Sequence, residues 1–135
     1  MKKQIHFTKG YKYRLEVNYT AIIPIFGYEF ENDIIKLTID GTLTIKRGFN
    51  WDGASFIVID TKSVLRASLV HDALYWLLRH EILPQEEKST ADRVYYIICV
   101  EDGVWQWRAK YMYKGLLIGG ASAASPKNKK EVFIV

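Results

Sequence analysis

The sequence predicts an α+β protein of one domain, in which an N-terminal antiparallel β-sheet of four to five strands packs against a C-terminal half of three helices. Two observations support this prediction. In residues 1–60 the apolar positions recur with the two-residue period of half-buried strands, whereas in residues 61–120 they recur with a helical period. Strands that precede helices, instead of alternating with them, favour an α+β arrangement. The length of 135 residues suits a single domain.

The predicted strands are short. The segment 11–19, YKYRLEVNY, alternates apolar and polar residues, as does 28–32, YEFEN. Between them lies TAIIPIF, in which Pro24 ends a strand or places it at an edge. The β-branched runs DIIKLTIDG and TLTIKRGF are separated by Asp40 and Gly41, a pair typical of β-hairpins. We therefore expect antiparallel pairing.

The first predicted helix is KSVLRASLVHDALYWLLRH, with Ser63 as its N-cap and Pro84 stopping it shortly after its last residue. On a helical wheel its apolar residues surround the axis and leave one polar arc, formed by Ser68, Asp72 and Arg79. A helix with so narrow a polar face is expected to lie at the centre of the protein.

Two further helices follow. Ser89 and Asp92 resemble a capping box at the start of the second, with Asp in place of Glu, and Gly103 ends it. The third covers VWQWRAKYMYKGLLIGG, and Gly115 weakens its end. We expect residues 121–135 to form a flexible tail in which EVFIV can add a short last strand.

Composition limits the classes of function. Hydrophobic residues make up 49% and charged residues 25%, as in folded globular proteins. The high aromatic content of 14% fits a core rich in rings or an aromatic binding surface. The net charge is +4, part of which comes from Lys2, Lys3 and the tail PKNKKEV. Because no basic stripe with interleaved aromatic residues is present, we predict no nucleic-acid partner.

The redox compartment and location are predicted from a few features. Cys99 is the sole cysteine and lies in the apolar run YYIICVEDG, which predicts a small core residue and a reducing compartment. The residues after Met1 contain charges throughout and no apolar core of a signal peptide. No run of 18 apolar residues exists, so we expect no transmembrane segment.

Five polar residues form the candidate site. His71 and Tyr75 are four residues apart and therefore neighbours on one helix face, while Asp72 lies beside them on the polar arc. Asp52 lies in the loop GFNWDGAS, whose glycines permit sharp turns that direct it toward this helix. Asp92 on the second helix completes the set.

These residues allow three interpretations. In a structural network, His71 bonds a backbone carbonyl or Tyr75 while Asp72 bonds a loop amide, since a buried carboxylate needs partners. In a hydrolase, His71 is a general base, Asp92 or Asp52 orients it, Asp72 is a water or metal ligand, and Tyr75 is a hydrogen-bond donor. In a metal site, Asp52, Asp72 and His71 bind one divalent cation.

Three motifs, in this order along the chain, resemble those of a family of small bacteriophage and prophage proteins. The family is classified as a domain of unknown function. The family pattern is G-F-x-x-D-x-A-S, then H-D-x-L-Y, then A-D, then a last helix with tyrosine and glycine, and it covers roughly residues 42–120. The positions that match are Gly48, Phe49, Asp52, Ala54, Ser55, His71, Asp72, Leu74, Tyr75, Ala91 and Asp92. Many members have a proline closely after the serine, whereas this chain has Phe56 and Ile57. The resemblance implies a phage or prophage origin and no particular activity.

His71 and Asp72 with Tyr75, followed by an aspartate on the next helix, are also similar to the His-Asp centre of secreted phospholipases. This likeness implies that His71 activates water, that Asp72 binds calcium and that the later aspartate holds the histidine. The chain departs from those enzymes in two respects. They are rich in disulfides, whereas it has a single cysteine, and it has no counterpart of their glycine-rich calcium loop.

Two functions follow as expectations. One is a virion component of the tail or neck, or an accessory protein, that binds another phage or host protein through an aromatic surface or an edge strand such as EVFIV. The other is a hydrolase with a His-Asp centre, assisted by a divalent cation in one version, that acts on an ester, a lipid or a cell-wall bond. We expect the protein in the host cytoplasm or the virion.

Overall fold

The structure is a computed structural model that describes residues 4–9, 13–51, 62–119 and 124–125. Antiparallel strands occupy the N-terminal half and three helices the C-terminal half, which confirms the predicted α+β class. One cluster of buried side chains runs from the strands through all three helices. None of the helices in these ranges is both long and apolar enough to cross a membrane.

The strands form two sheets where a single sheet was predicted. The first sheet has the order β1-β2-β7, made of β1 (Phe7–Lys9), β2 (Tyr13–Leu15) and β7 (Asn50–Trp51). The second has the order β3-β6-β5-β4, made of β3 (Tyr19–Ile22), β4 (Phe30–Glu31), β5 (Ile35–Leu37) and β6 (Thr42–Ile45). Every pairing of neighbouring strands is antiparallel.

The predicted strand 11–19 is divided between the two sheets. Val17, in its second half, is 51% exposed, although alternation assigned it to the buried face. The neighbouring Asn18 accepts a hydrogen bond from the backbone N–H of Arg47 through its side-chain oxygen, at 2.7 Å. The chain thus leaves β2 and enters β3 at a bend. Local alternation cannot predict such a bend, because strand pairing depends on residues distant in the sequence.

The hairpin predicted at Asp40 and Gly41 is present. It joins β5 to β6, with Leu37 opposite Leu43. Gly41 has a φ of 86°, and a Cβ atom there would overlap the carbonyl oxygen of Ile23. Only glycine satisfies both conditions at this turn.

The first helix, α1 (Lys62–Arg79), lies at the centre of the fold, as predicted. Leu69, Leu74 and Leu77 are fully buried, and α1 packs against α2 and β7. It ends before Pro84, but it already includes Ser63, which therefore lies in its first turn and not at the predicted N-cap. The residue before Lys62 is outside the described ranges.

The second helix, α2 (Lys88–Glu101), continues directly from a short 3₁₀-helix, Gln85–Glu87. Its N-cap is Glu87, without a side-chain capping bond, so the predicted capping box of Ser89 and Asp92 is wrong. The preceding 3₁₀ turn already leads the backbone into the helix, and Asp92 points inward to His71 and Lys88.

The end of α2 was predicted correctly. Gly103 has a φ of 96°, and its N–H donates to the carbonyl of Val100 at 3.1 Å. The N–H of Val104 donates to the carbonyl of Cys99 at 2.9 Å, which completes a Schellman motif. Cys99 is fully buried, as expected for a core residue.

The third helix, α3 (Gln106–Gly119), packs against α2 and runs through Gly115. Its buried residues Ala109, Met112 and Leu116 follow the helical spacing of one face. Most of the predicted tail, including EVFIV at 131–135, lies outside the described residues.

The sequence did not predict one buried cation. The Arg66 guanidinium, in α1, is 2% exposed and binds the carboxylate of Asp102 through Nε and Nη2, both at 2.9 Å. It also donates to Glu101 at 3.1 Å and to the hydroxyl of Tyr19 at 2.9 Å. Arg66 thereby connects α1 to β3 and to the end of α2.

Candidate functional site

The centre of the candidate site is the carboxylate of Asp92, which is fully buried between α1 and α2. Its Oδ1 lies 2.8 Å from Nε2 of His71 and accepts a hydrogen bond from the Tyr75 hydroxyl at 2.7 Å. Its Oδ2 accepts a hydrogen bond from Nζ of Lys88 at 2.8 Å. Lys88 also donates to the carbonyl of Leu116 at 3.0 Å, which links the cluster to α3.

These contacts determine the charge of Asp92. Burial alone would raise the pKa of the carboxyl, but hydrogen bonds from His71, Lys88 and Tyr75 lower it below its usual value. Burial, reinforced by Asp92, raises the pKa of Tyr75, so its hydroxyl keeps the proton that it donates. Asp92 is therefore an anion that only accepts hydrogen bonds.

The tautomer of His71 follows from its hydrogen bond to Asp92. Because the anionic carboxylate of Asp92 can only accept a hydrogen bond, Nε2 of His71 carries the proton and Nδ1 carries the lone pair. Within the part of the chain that the structure describes, the imidazole makes one hydrogen bond, from Nε2 to Asp92. Nδ1 makes no hydrogen bond to these residues. The side chain is 7% exposed, so Nδ1 belongs to a nearly closed site.

Burial also sets the protonation of His71. Loss of water lowers the pKa of the imidazole, and the positive charges of Lys88 and Arg79 act in the same direction, against the opposing effect of Asp92. At neutral pH the ring is therefore neutral. The rings of Tyr75 and Tyr95, with centroids at 4.0 Å and 5.3 Å, hold the imidazole in place.

The structure therefore brings together three of the five predicted site residues, His71, Tyr75 and Asp92. Asp72 is half-buried beside them on α1, where its negative charge acts on Arg79. Lys88 belongs to the cluster and was missed, although an oppositely charged residue four positions before Asp92 on a helix is a recognisable signal.

Asp52 lies outside the described residues. The residue before it, Trp51, is buried, and its indole Nε1 donates to the hydroxyl of Ser68 at 3.0 Å. Ser68 lies one helical turn before His71 and Asp72. The chain thus reaches α1 next to the candidate site just before Asp52.

A metal centre has no support from the described residues. Among them, no group of three or more His, Cys, Asp or Glu side chains could hold a metal ion. His71 and Asp92 bind each other, and the second oxygen of Asp92 already faces the ammonium of Lys88. The predicted set of Asp52, Asp72 and His71 includes a residue outside these ranges, so it stays a prediction.

The aromatic residues fall into a buried group and an exposed group. Several are buried in the core, namely Tyr13, Tyr19, Phe49, Trp51, Tyr75 and Tyr95. Others at the start of α3 are exposed: Trp105 by 72%, Trp107 by 66% and Tyr111 by 64%. Composition alone allowed both an aromatic core and an aromatic surface, and the protein has both.

Comparison with known proteins gives one relationship. The family model described as "Protein of unknown function (DUF1353)" matches residues 29–116, well over half of the chain. The matched range includes the residues that carry the three motifs described above. No curated protein and no solved structure matches the chain. The protein is therefore a member of the DUF1353 family of proteins of unknown function.

Proposed function

We propose that the protein is a hydrolase in which His71 is the general base and Asp92 orients it. One observation carries the proposal. Asp92 holds Nε2 of His71 at 2.8 Å, while the opposite ring nitrogen, Nδ1, has no hydrogen bond within the described residues. A purely structural histidine that is 5% exposed would be expected to pair both nitrogens, because an unpaired buried polar atom is costly.

The arrangement fits the proton transfers of hydrolysis. The lone pair of Nδ1 takes a proton from a water molecule as the water oxygen bonds to the carbonyl carbon of an ester. The anion of Asp92 stabilises the imidazolium that forms, as in other His-carboxylate pairs. The imidazolium then returns the proton to the alcohol oxygen as the bond between that oxygen and the carbonyl carbon breaks.

The other members of the cluster support this role. Tyr75 and Lys88 hold the carboxylate of Asp92 by hydrogen bonds at 2.7 Å and 2.8 Å. Asp72, adjacent to His71 on α1, is the proposed ligand of the attacking water. The substrate classes that we propose are an ester, a lipid and a cell-wall bond.

The hydrolase proposal is tested by measuring turnover on a defined panel of substrates. The panel contains nitrophenyl esters of short and long acyl chains, phosphatidylglycerol vesicles and purified peptidoglycan. We expect His71→Asn to lower turnover of the hydrolysed substrate by about 100-fold or more, because general-base catalysis contributes on that scale. The matched control is His80→Asn, at a half-buried histidine of the same helix region, and should keep wild-type turnover.

Stability has to be separated from chemistry in this test, since the cluster also joins two helices. Turnover is therefore measured per folded molecule, with folding followed by circular dichroism. Tyr75→Phe keeps the ring and removes one bond to Asp92, so we expect a smaller loss of turnover than in His71→Asn. Absence of turnover on the whole panel, or full turnover in folded His71→Asn, would contradict the proposal.

A second proposal is a virion-associated component of the tail or neck, or an accessory protein, that binds another phage or host protein. It is favoured by three exposed apolar residues near Gly41, at one end of the four-stranded sheet. Ile22 is 68% exposed, Phe26 63% and Ile39 59%. The N–H of Gly27 bonds to the carbonyl of Ile39, and that of Ile23 to Gly41, which keeps this end compact.

Purified particles test the second proposal. Particles from a host that carries the gene are banded on a density gradient and analysed by mass spectrometry for this chain. We expect wild-type protein in the band and its loss in Phe26→Ser. The control, Val17→Ser, changes an apolar residue of similar exposure beyond the other end of β3 and should leave the protein in the band. Absence of the wild-type chain from the band would contradict a virion role.

A further inference from the structure

The outward face of α3 carries a row of large side chains where a surface helix usually carries polar ones. We call Trp107, Tyr111, Lys114 and Ile118 the outer stripe. Their spacing of four, three and four residues places them on one face, opposite the buried Ala109, Met112 and Leu116. Ile118 is 85% exposed, the largest exposure among the apolar residues described.

Further large apolar side chains of α2 and α3 are exposed. Trp105 precedes α3 and its ring lies 6.4 Å from that of Trp107, centroid to centroid. Leu117 of α3 is 40% exposed, and Ile97 and Val100 of the adjacent α2 are exposed by 42% and 39%. So many exposed large side chains on two neighbouring helices are unusual for a surface that faces only water.

The charges of α3 restrict what covers the stripe. Its sequence, QWRAKYMYKGLLIG, contains the cations Arg108, Lys110 and Lys114 and no acidic residue. A second copy of the chain, packed stripe against stripe, would place these cations near one another. Charge complementarity therefore requires an anionic occupant.

We propose that the outer stripe of α3 docks on an anionic phospholipid surface. Tryptophan and tyrosine rings favour the boundary between headgroups and acyl chains, and lysines beside them bind lipid phosphates. The stripe lies on the exposed side of a helix of 14 residues, which suits a helix lying in the plane of a bilayer. This docking is independent of His71 and goes beyond both proposed functions.

Vesicle binding by the full chain tests the proposal. The probes are vesicles of phosphatidylglycerol and phosphatidylcholine in equal parts and vesicles of phosphatidylcholine alone, with binding followed by co-sedimentation and tryptophan fluorescence. We expect binding to the anionic vesicles with a blue shift, since Trp105 and Trp107 leave water. Neutral vesicles should bind at least about 10-fold more weakly, and about 0.5 M salt should weaken the anionic binding.

Three variants make the result specific. Lys110→Glu with Lys114→Glu changes only exposed side chains and should lower binding to anionic vesicles by about 10-fold or more. Trp107→Ser with Ile118→Ser should do the same by removing apolar contact. Val17→Ser, at an exposed apolar position between β2 and β3, should bind as wild type.

Other outcomes would overturn the proposal. Absence of binding to anionic vesicles, equal binding to neutral vesicles, or an equal loss of binding in Val17→Ser would each do so. If vesicles do not bind while the double lysine variant alone is lost from purified particles, the occupant is an acidic protein surface instead. Circular dichroism confirms that each variant is folded.

Discussion

Oδ1 of Asp92 lies 2.8 Å from Nε2 of His71, across the interface between α2 and α1. The same carboxylate is fully buried and binds the ammonium of Lys88, whose side chain is 13% exposed. The cluster is therefore a charged group inside the core, held by partners from two helices. Its stability depends on every partner, because removal of one leaves another buried and unpaired.

Replacement of Asp92 by Asn should be strongly destabilising. The amide keeps the size of the side chain but leaves the Lys88 ammonium without its counter-ion. We expect a loss of about 3–5 kcal/mol in the free energy of unfolding, measured by urea denaturation. Glu31→Gln, which breaks an exposed ion pair with Lys46, is the control and should cost much less. Similar losses in the two variants would contradict a buried charge network.

Stability should fall in mild acid because of His71. Burial lowers the pKa of the imidazole below its ordinary value of 6.5, so the unfolded chain takes up a proton before the folded protein does. The contribution of His71 to the free energy of unfolding is fully present above this ordinary pKa. It is lost as the pH falls toward the lower pKa of the folded protein. Asp92, whose pKa is also lowered, adds to the loss only below its ordinary value of 3.8.

Urea denaturation between about pH 8 and pH 5 measures this dependence. His71→Asn should be less stable at neutral pH and should show a flatter dependence in mild acid, because the titrating group is gone. His6→Asn, at an exposed histidine, is the control and should keep the wild-type slope. An unchanged slope in His71→Asn would show that other groups cause the acid sensitivity.

The hairpin glycine offers a test of backbone packing. Gly41 and Gly27 both have positive φ, 86° and 88°, but a Cβ atom at Gly41 would overlap the carbonyl of Ile23, whereas at Gly27 nothing lies within 4 Å. Gly27→Ala should therefore cost about 1–2 kcal/mol for its φ alone. Gly41→Ala should cost clearly more. Equal losses in thermal or urea unfolding would show that the overlap is relieved without strain.

Arg66 should not be replaceable by lysine. Its guanidinium binds both oxygens of Asp102, which a single ammonium cannot reproduce. We expect Arg66→Lys to lose about 1–3 kcal/mol of unfolding free energy and Arg66→Ala about 3–5 kcal/mol. Arg14→Lys, at an exposed pair with Glu16, is the control and should lose at most about 1 kcal/mol. If Arg66→Lys lost no more than this control, the pair of hydrogen bonds from Arg66 to Asp102 would not be important for stability.

Local signals in the sequence determined most of the secondary structure. Asp40 and Gly41 specify a tight turn, and Gly103 specifies a helix end by its backbone freedom. These effects act over a few residues, so they could be predicted without knowledge of the fold. The spacing of His71 and Tyr75 likewise placed them on one helix face, and the two resemblances pointed to Asp92.

Tertiary structure decided which residues meet. The split of 11–19 between two sheets, the burial of Arg66 against Asp102 and the inward turn of Asp92 all depend on contacts between distant parts of the chain. A carboxylate near a helix start is a capping candidate by sequence, yet it becomes the centre of a buried network when another helix brings a histidine within 2.8 Å. Sequence periodicity determines which faces are apolar, whereas only packing determines what each face meets.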